Sequence, residues 1–141
     1  MKKTAFALGL LAMMTASGAA LAGNATYGYQ TGANNALEIA TTGNRNYTSA
    51  DQDGYWLQGS FYSRGFRNNQ VIGQTGYGST AVTDIRGRNH QLGVAQNADY
   101  SDVDVSMTGT GMRGAIYQNS SGSRISVSAT GRSHTIVVRD N

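Results

Sequence analysis

A glutamine returns every 22 residues along this chain, at Gln30, Gln52, Gln74, Gln96 and Gln118, and a glycine keeps the same interval at Gly43, Gly65, Gly87, Gly109 and Gly131. Two residue types in step exclude the chance recurrence of one common residue. A period between about 20 and 50 residues marks stacked repeat units rather than a single globular core. Small residues also stand two positions after each Gln, at Gly32, Gly54, Gly76, Ala98 and Ser120, eleven before the glycine of the same repeat. Each repeat is therefore two similar halves.

Within each half the apolar positions alternate. The first half carries Leu37/Ile39, Val103/Val105 and Ile125/Val127, the second carries Leu92/Val94 and Ile136/Val138, and the repeat Gln falls next on that same face. A period of two is the mark of a strand with one buried side. Helical repeats would not tolerate a glycine in the middle of every unit, and a leucine-rich repeat needs a leucine framework that Leu37, Leu57 and Leu92 do not supply. The expected fold is all-β: an amyloid-like β-solenoid of about five 22-residue strand-turn-strand repeats spanning 23–141, each strand about 4.8 Å above its equivalent one turn earlier.

The preceding segment, 1–22, has another character. Lys2 and Lys3 precede an apolar run from Ala5 to Met14, and small residues end in Ala20-Leu21-Ala22, the layout of a cleaved secretory signal. The run is about half of the roughly 20 residues a membrane span requires. Cleavage would leave nine arginines against eight acidic residues. The chain holds no cysteine, which excludes disulfides, thiol catalysis and thiolate-bound metals, and no proline, so every backbone N–H can join a ladder.

In such a coil the five glutamines stack in register on the apolar face. A buried amide needs a partner, and the one supplied at every level is its own copy above and below. Exposed strands at both ends of the coil, Asn24 to Gln30 and His134 to Asp140, would template another copy and extend every ladder.

The stretches Tyr29-Gln30-Thr31-Gly32-Ala33-Asn34-Asn35-Ala36-Leu37 and Asn68-Asn69-Gln70-Val71-Ile72-Gly73-Gln74-Thr75-Gly76 resemble the repeats of the curlin family, the subunits of bacterial curli amyloid fibres. The resemblance covers nearly all of the chain after 1–22. The family's first Gln column is intact, Asn24, Asn46 and Asn68 replace its serine, and its second Gln column holds Thr41, Ser63, Ile85, Met107 and Ala129, the pattern of a divergent member. The resemblance implies a secreted, non-enzymatic fibre subunit at the bacterial surface, with no cofactor, acting in adhesion and biofilm matrix. Its partners would be itself, other curlin-type subunits and the outer-membrane curli secretion and assembly machinery. A minor nucleating subunit of the same fibre, or a soluble solenoid that binds anionic matrix polymers, are the alternatives.

Charge is sorted around the repeat. Arg64 and Arg86, Arg88 and Arg132, and Arg45 and Arg67 occupy three neighbouring columns, which stacking would draw into a basic edge suited to extracellular DNA or polysaccharide. Asp99, Asp102 and Asp104 crowd the fourth repeat, where they read as gatekeepers that slow stacking. Tyr55, Trp56 and Phe66 form an expected aromatic cluster. Gly109 to Gly114 spells a dinucleotide-loop pattern without the strand and helix that pattern needs. His90 and His134 lie two turns apart, roughly 9.6 Å by strand spacing, too far to share a metal.

Overall fold

The computed structural model describes residues 23–141; the signal-like segment 1–22 lies outside them. Among the described residues eleven strands wind into two parallel sheets. One sheet stacks β1 (Ala25–Ala33), β3 (Tyr47–Tyr55), β5 (Asn69–Tyr77), β7 (Gln91–Asn97), β9 (Arg113–Gln118) and β11 (Thr135–Asp140) in that order. The other stacks β2 (Ala36–Asn44), β4 (Gln58–Phe66), β6 (Thr80–Arg88), β8 (Asp102–Gly109) and β10 (Arg124–Gly131). Every pairing keeps the 22-residue register, as in Gln52↔Gln74 and Phe61↔Thr83. The molecule is a β-solenoid of about five turns.

The alternation of side chains sets which face each strand buries. Ala50, Ile72, Val94 and Ile116 from the first sheet meet Ile39, Phe61, Val105 and Met107 from the second in a single narrow core. Side-chain volumes compensate across it. A Cβ at Gly59 would lie 2.8 Å from the Phe61 ring, so the one large aromatic of the core fits only beside a residue with no side chain. Phe61 is fully buried, and truncating it to alanine removes about 3–5 kcal/mol.

The half-turns of the first three repeats close with the same corner. Gly54 and Gly65, at the ends of β3 and β4, have φ of 153° and 130°. A Cβ there would come within 2.0 Å of the Gly76 carbonyl oxygen and 1.9 Å of the Gly87 carbonyl oxygen one turn on. Stacking distance therefore demands glycine twice over, through the backbone angle and through the neighbour's carbonyl. Two residues later the chain turns left-handed, at Asn34, Trp56 and Tyr100 on one side and at Arg45, Arg67 and Asn89 on the other.

Candidate functional site

The candidate functional element of this fold is distributed along the axis. Gln30 Nε2 donates to Gln52 Oε1 at 2.8 Å, Gln52 to Gln74 at 2.7 Å, Gln74 to Gln96 at 3.0 Å and Gln96 to Gln118 at 3.0 Å. Gln52, Gln74, Gln96 and Gln118 are fully buried, whereas Gln30, in the first strand, is half-buried. The second amide hydrogen is satisfied across the core: Gln74 Nε2 donates to Gln58 O at 3.2 Å and Gln96 Nε2 to Ser101 O at 2.7 Å. Turned end for end, the Gln52 amide accepts from Gly59 N–H at 3.1 Å and donates to Ala36 O at 3.3 Å, which sets its nitrogen 2.8 Å from Gln30 Nε2 and its oxygen 2.7 Å from Gln74 Oε1, so the ladder bonds at this level then form only if the neighbouring amides turn with it.

A second ladder lines one corner. Asn46 Oδ1 accepts the backbone N–H of Asn68 at 3.0 Å, while its Nδ2 donates to Thr42 O at 2.9 Å and to Gly65 O at 3.0 Å. Asn24 and Asn68 hold the same positions one turn below and above, accepting from Asn46 N–H at 3.0 Å and His90 N–H at 3.2 Å. His90 then replaces the amide: Nδ1 lies 3.3 Å from the Met112 N–H and Nε2 lies 3.1 Å from Arg86 O. Acceptance at Nδ1 and donation from Nε2 define a neutral ring with its proton on Nε2. Burial pushes its pKa down, against the upward pull of the Arg86 and Thr108 backbone.

The opposite corner begins alike and changes. Asn35 Oδ1 accepts Leu57 N–H at 3.0 Å and its Nδ2 donates to Gly54 O at 2.9 Å. From the third turn, serines take over: Ser79 Oγ accepts Ser101 N–H at 3.2 Å and donates to Ala98 O at 2.6 Å, and Ser101 Oγ donates to Ser120 O at 2.9 Å. One hydroxyl hydrogen serves where two amide hydrogens served below.

Outside these ladders the two corners differ in charge. Arg45, Arg64, Arg67, Arg86, Arg88 and Arg132 are all exposed at one corner, where Arg45 and Arg67 place their guanidinium carbons 5.8 and 5.0 Å from the Phe66 ring centroid. Arg86 is paired with Asp84 at 2.6 Å. The other corner exposes Tyr55, Trp56, Tyr77 and Tyr100 together with Asp53 and Asp99; the Tyr77 and Tyr100 rings meet edge-on at 5.2 Å. The expected Tyr55, Trp56 and Phe66 cluster is thus divided, because β3 and β4 end at opposite corners and Phe66 lies under arginines.

The glycine and aspartate positions also separate. Gly43, Gly65 and Gly87 have positive φ and close approaches to the next turn. Gly109 and Gly131 do not: the nearest neighbour of a Cβ at Gly109 is Thr130 O at 3.8 Å, and a Cβ at Gly131 would meet nothing within 4 Å. Pairing of β5 with β7 stops at Thr75↔Asn97, and Asp99 Oδ1 accepts the Tyr77 N–H at 2.9 Å in its place. Asp102 pairs with Arg124 at 3.1 Å, and Asp104 is exposed on β8.

Reading the sequence alone misses the left-handed columns and a polar diagonal through the core. Thr26, Thr41 and Thr48 link hydroxyl to hydroxyl at 3.1 and 3.2 Å, and Gln70 bridges Thr48 to Thr83 at 3.2 and 2.8 Å. The left-handed columns left a trace, since Gly23, Gly78, Gly111 and Gly122 occupy four of their positions; in the last turn Ser133 stands in the column and the positive φ falls on Arg132.

Both ends of the coil are open. Among the described residues no strand lies on the outer side of β1, β2, β10 or β11. Compared with known proteins, the chain matches no family model, no curated protein and no solved structure.

Proposed function

We propose that this chain is a secreted structural subunit that polymerises end to end into an extracellular, amyloid-like fibre of the curli kind, serving adhesion and biofilm matrix. The observation that carries the reading is the pair of uncapped parallel edges on a coil whose core amides already bond turn to turn. Each open edge presents unpaired backbone donors and acceptors at strand spacing, and a second copy satisfies them with the contacts used inside the chain. Other curlin-type subunits and the outer-membrane export and assembly machinery are the partners this reading implies. The chemistry is binding alone, without catalysis or cofactor.

The exposed arginine corner gives the fibre a second property. Repeated along the axis, it would hold anionic polysaccharide or extracellular DNA through contacts that weaken with salt. Purified, signal-processed protein is expected to form thioflavin-positive filaments with a meridional reflection near 4.8 Å. Protein that stays monomeric and soluble under all assembly conditions overturns the reading. The serine-bearing corner in the upper turns, with fewer bonds per level, favours a nucleating subunit as the second reading. A sub-stoichiometric dose that shortens the lag of a partner subunit, without long fibres of its own, would select it.

A further inference from the structure

We infer that successive copies join with a half-turn offset: β1 of the incoming copy seats on β10 and its β2 on β11, so that each sheet of one copy continues as the other sheet of the next. The inference rests on the end-to-end stacking proposed above and specifies its geometry. It follows from an inequality in the fold. Among the described residues one sheet holds six strands and the other five, so the upper face is a step, with β11 standing half a turn above β10.

Two ways of stacking identical coils exist. In the first, the copy adds without rotation, β1 over β11, in the register Ala25 over Thr135. The other sheet is then left with a missing strand between β10 and the incoming β2, a gap of about 9.6 Å where about 4.8 Å is needed. That gap strands a row of backbone N–H and C=O groups on both sides and opens the core beside Ile125, Val127 and Ala129. In the second, the copy is rotated by half a turn about the axis. The incoming β1 fills the vacant position over β10 and β2 follows over β11, with no gap in either sheet.

The second arrangement requires the two halves of the repeat to be interchangeable, and the 11-residue shift between them makes them so. Over β10 it places Gly23 above Gly122, both with positive φ, Asn24 above Ser123 and Gly32 above Gly131. Over β11 it places Asn35 above His134, Leu37 above Ile136 and Ile39 above Val138, so partly buried aliphatic side chains on each face gain their missing neighbours. The unrotated joint would instead set Thr26 and Gly28 over that same Ile136 and Val138 pair.

The corner bonds continue under the same rule. Inside the coil, the N–H one turn on donates to an Asn, Ser or His side chain below it, as Leu57 does to Asn35, Ser101 to Ser79 and Met112 to His90. At the half-turn joint the acceptors on offer are Ser123 Oγ and the His134 ring. The N–H groups that arrive are those of Asn24 and Asn35 of the second copy.

Cysteine pairs on the outward faces test the joint, because the chain has no cysteine of its own and vertically adjacent Cα atoms in neighbouring strands lie within disulfide range. Tyr27, Glu38, Ser126 and Val137 are all exposed. Proteins carrying Tyr27→Cys with Ser126→Cys, or Glu38→Cys with Val137→Cys, are expected to form covalent multimers when oxidised during assembly. The pair Tyr27→Cys with Val137→Cys is expected not to. Electron microscopy of the unsubstituted fibre is expected to give about 26 Å per subunit with a half-turn rotation, from five and a half turns at about 4.8 Å each. Linking of Tyr27→Cys to Val137→Cys, with about 29 Å per subunit and no rotation, overturns the half-turn joint and leaves polymerisation standing. Absence of fibres overturns both.

Discussion

The two corners of this coil perform the same turn with different materials. Along the arginine corner, buried amides at Asn46 and Asn68 each tie three backbone groups, one N–H and two carbonyls. Along the aromatic corner the amide ends at Asn35, and Ser79 and Ser101 tie fewer groups per level. The strand record follows the chemistry: the aromatic corner is where β7 ends early at Asn97, where Ala98 stands in a column otherwise led by glycines, and where Asp99 must stand in for a ladder bond. Rungs shorten where the amide has given way: β5–β7 stops at Thr75↔Asn97 beside the serines, and β6–β8 stops at Ile85↔Met107 beside His90.

The sharpest way to break the comparison is at the glycines. Gly65→Ala drives a Cβ against the Gly87 carbonyl at the arginine corner and is expected to cost more than about 4 kcal/mol, seen as loss of cooperative unfolding. At Gly131, where a Cβ meets nothing within 4 Å, alanine is expected to change stability by less than about 0.5 kcal/mol. Equal effects would show that neither the backbone angle nor the facing carbonyl at Gly65 demands glycine.

Next in size are the corner side chains. Asn68→Ala removes the side-chain acceptor of the His90 N–H and the donor to two carbonyls and is expected to lower the unfolding free energy by about 3 kcal/mol. Ser79→Ala removes one acceptor and one donor, for an expected loss of about 1–2 kcal/mol. If denaturant titrations rank these two the other way, the amide corner is not the stronger.

Acid sharpens the comparison further, because only the arginine corner buries a histidine. The folded ring titrates below its ordinary value of about 6.5. Its neutral form is the one the fold binds, so its contribution is complete above the unfolded value and is lost as pH falls through the lowered folded value. Stability is therefore expected to decline as pH drops below about 6.5. His90→Asn, which restores the residue of the turns below, is expected to flatten that part of the profile. An unchanged slope would remove His90 as its source.

The smallest effect compares the left-handed turns. Trp56→Gly relieves a bulky residue at φ 61° and is expected to gain about 1 kcal/mol. Arg67→Gly relieves φ 56° but gives up the guanidinium seated over Phe66, so its net change is expected to lie near zero. Thermal midpoints of the two variants measure the difference.

What sequence could and could not disclose follows from which contacts repeat. The Gln column and the apolar alternation were legible because 22-residue stacking forces like onto like, so the pattern in one dimension is the contact list in three. Corner chemistry was less so. His90 bonds as an asparagine although its side chain looks nothing like one, since the corner requires only an acceptor beside a donor. Phe66 could be placed in the repeat but not on an edge, because adjacent strands end at opposite corners. The Thr26 to Thr83 diagonal crosses between sheets with unequal spacings, so no single period reveals it.

The direction of the backbone bonds has a mechanical consequence. Traction applied to the outermost strands loads the rungs in series, so the breaking strength is that of the weakest one. The rungs are unequal: β1 and β3 share nine paired residues, whereas β7 and β9, and β9 and β11, share six. Under tension, rupture is expected from the β6–β8 rung upward, where six-residue pairings begin, leaving the lower turns intact.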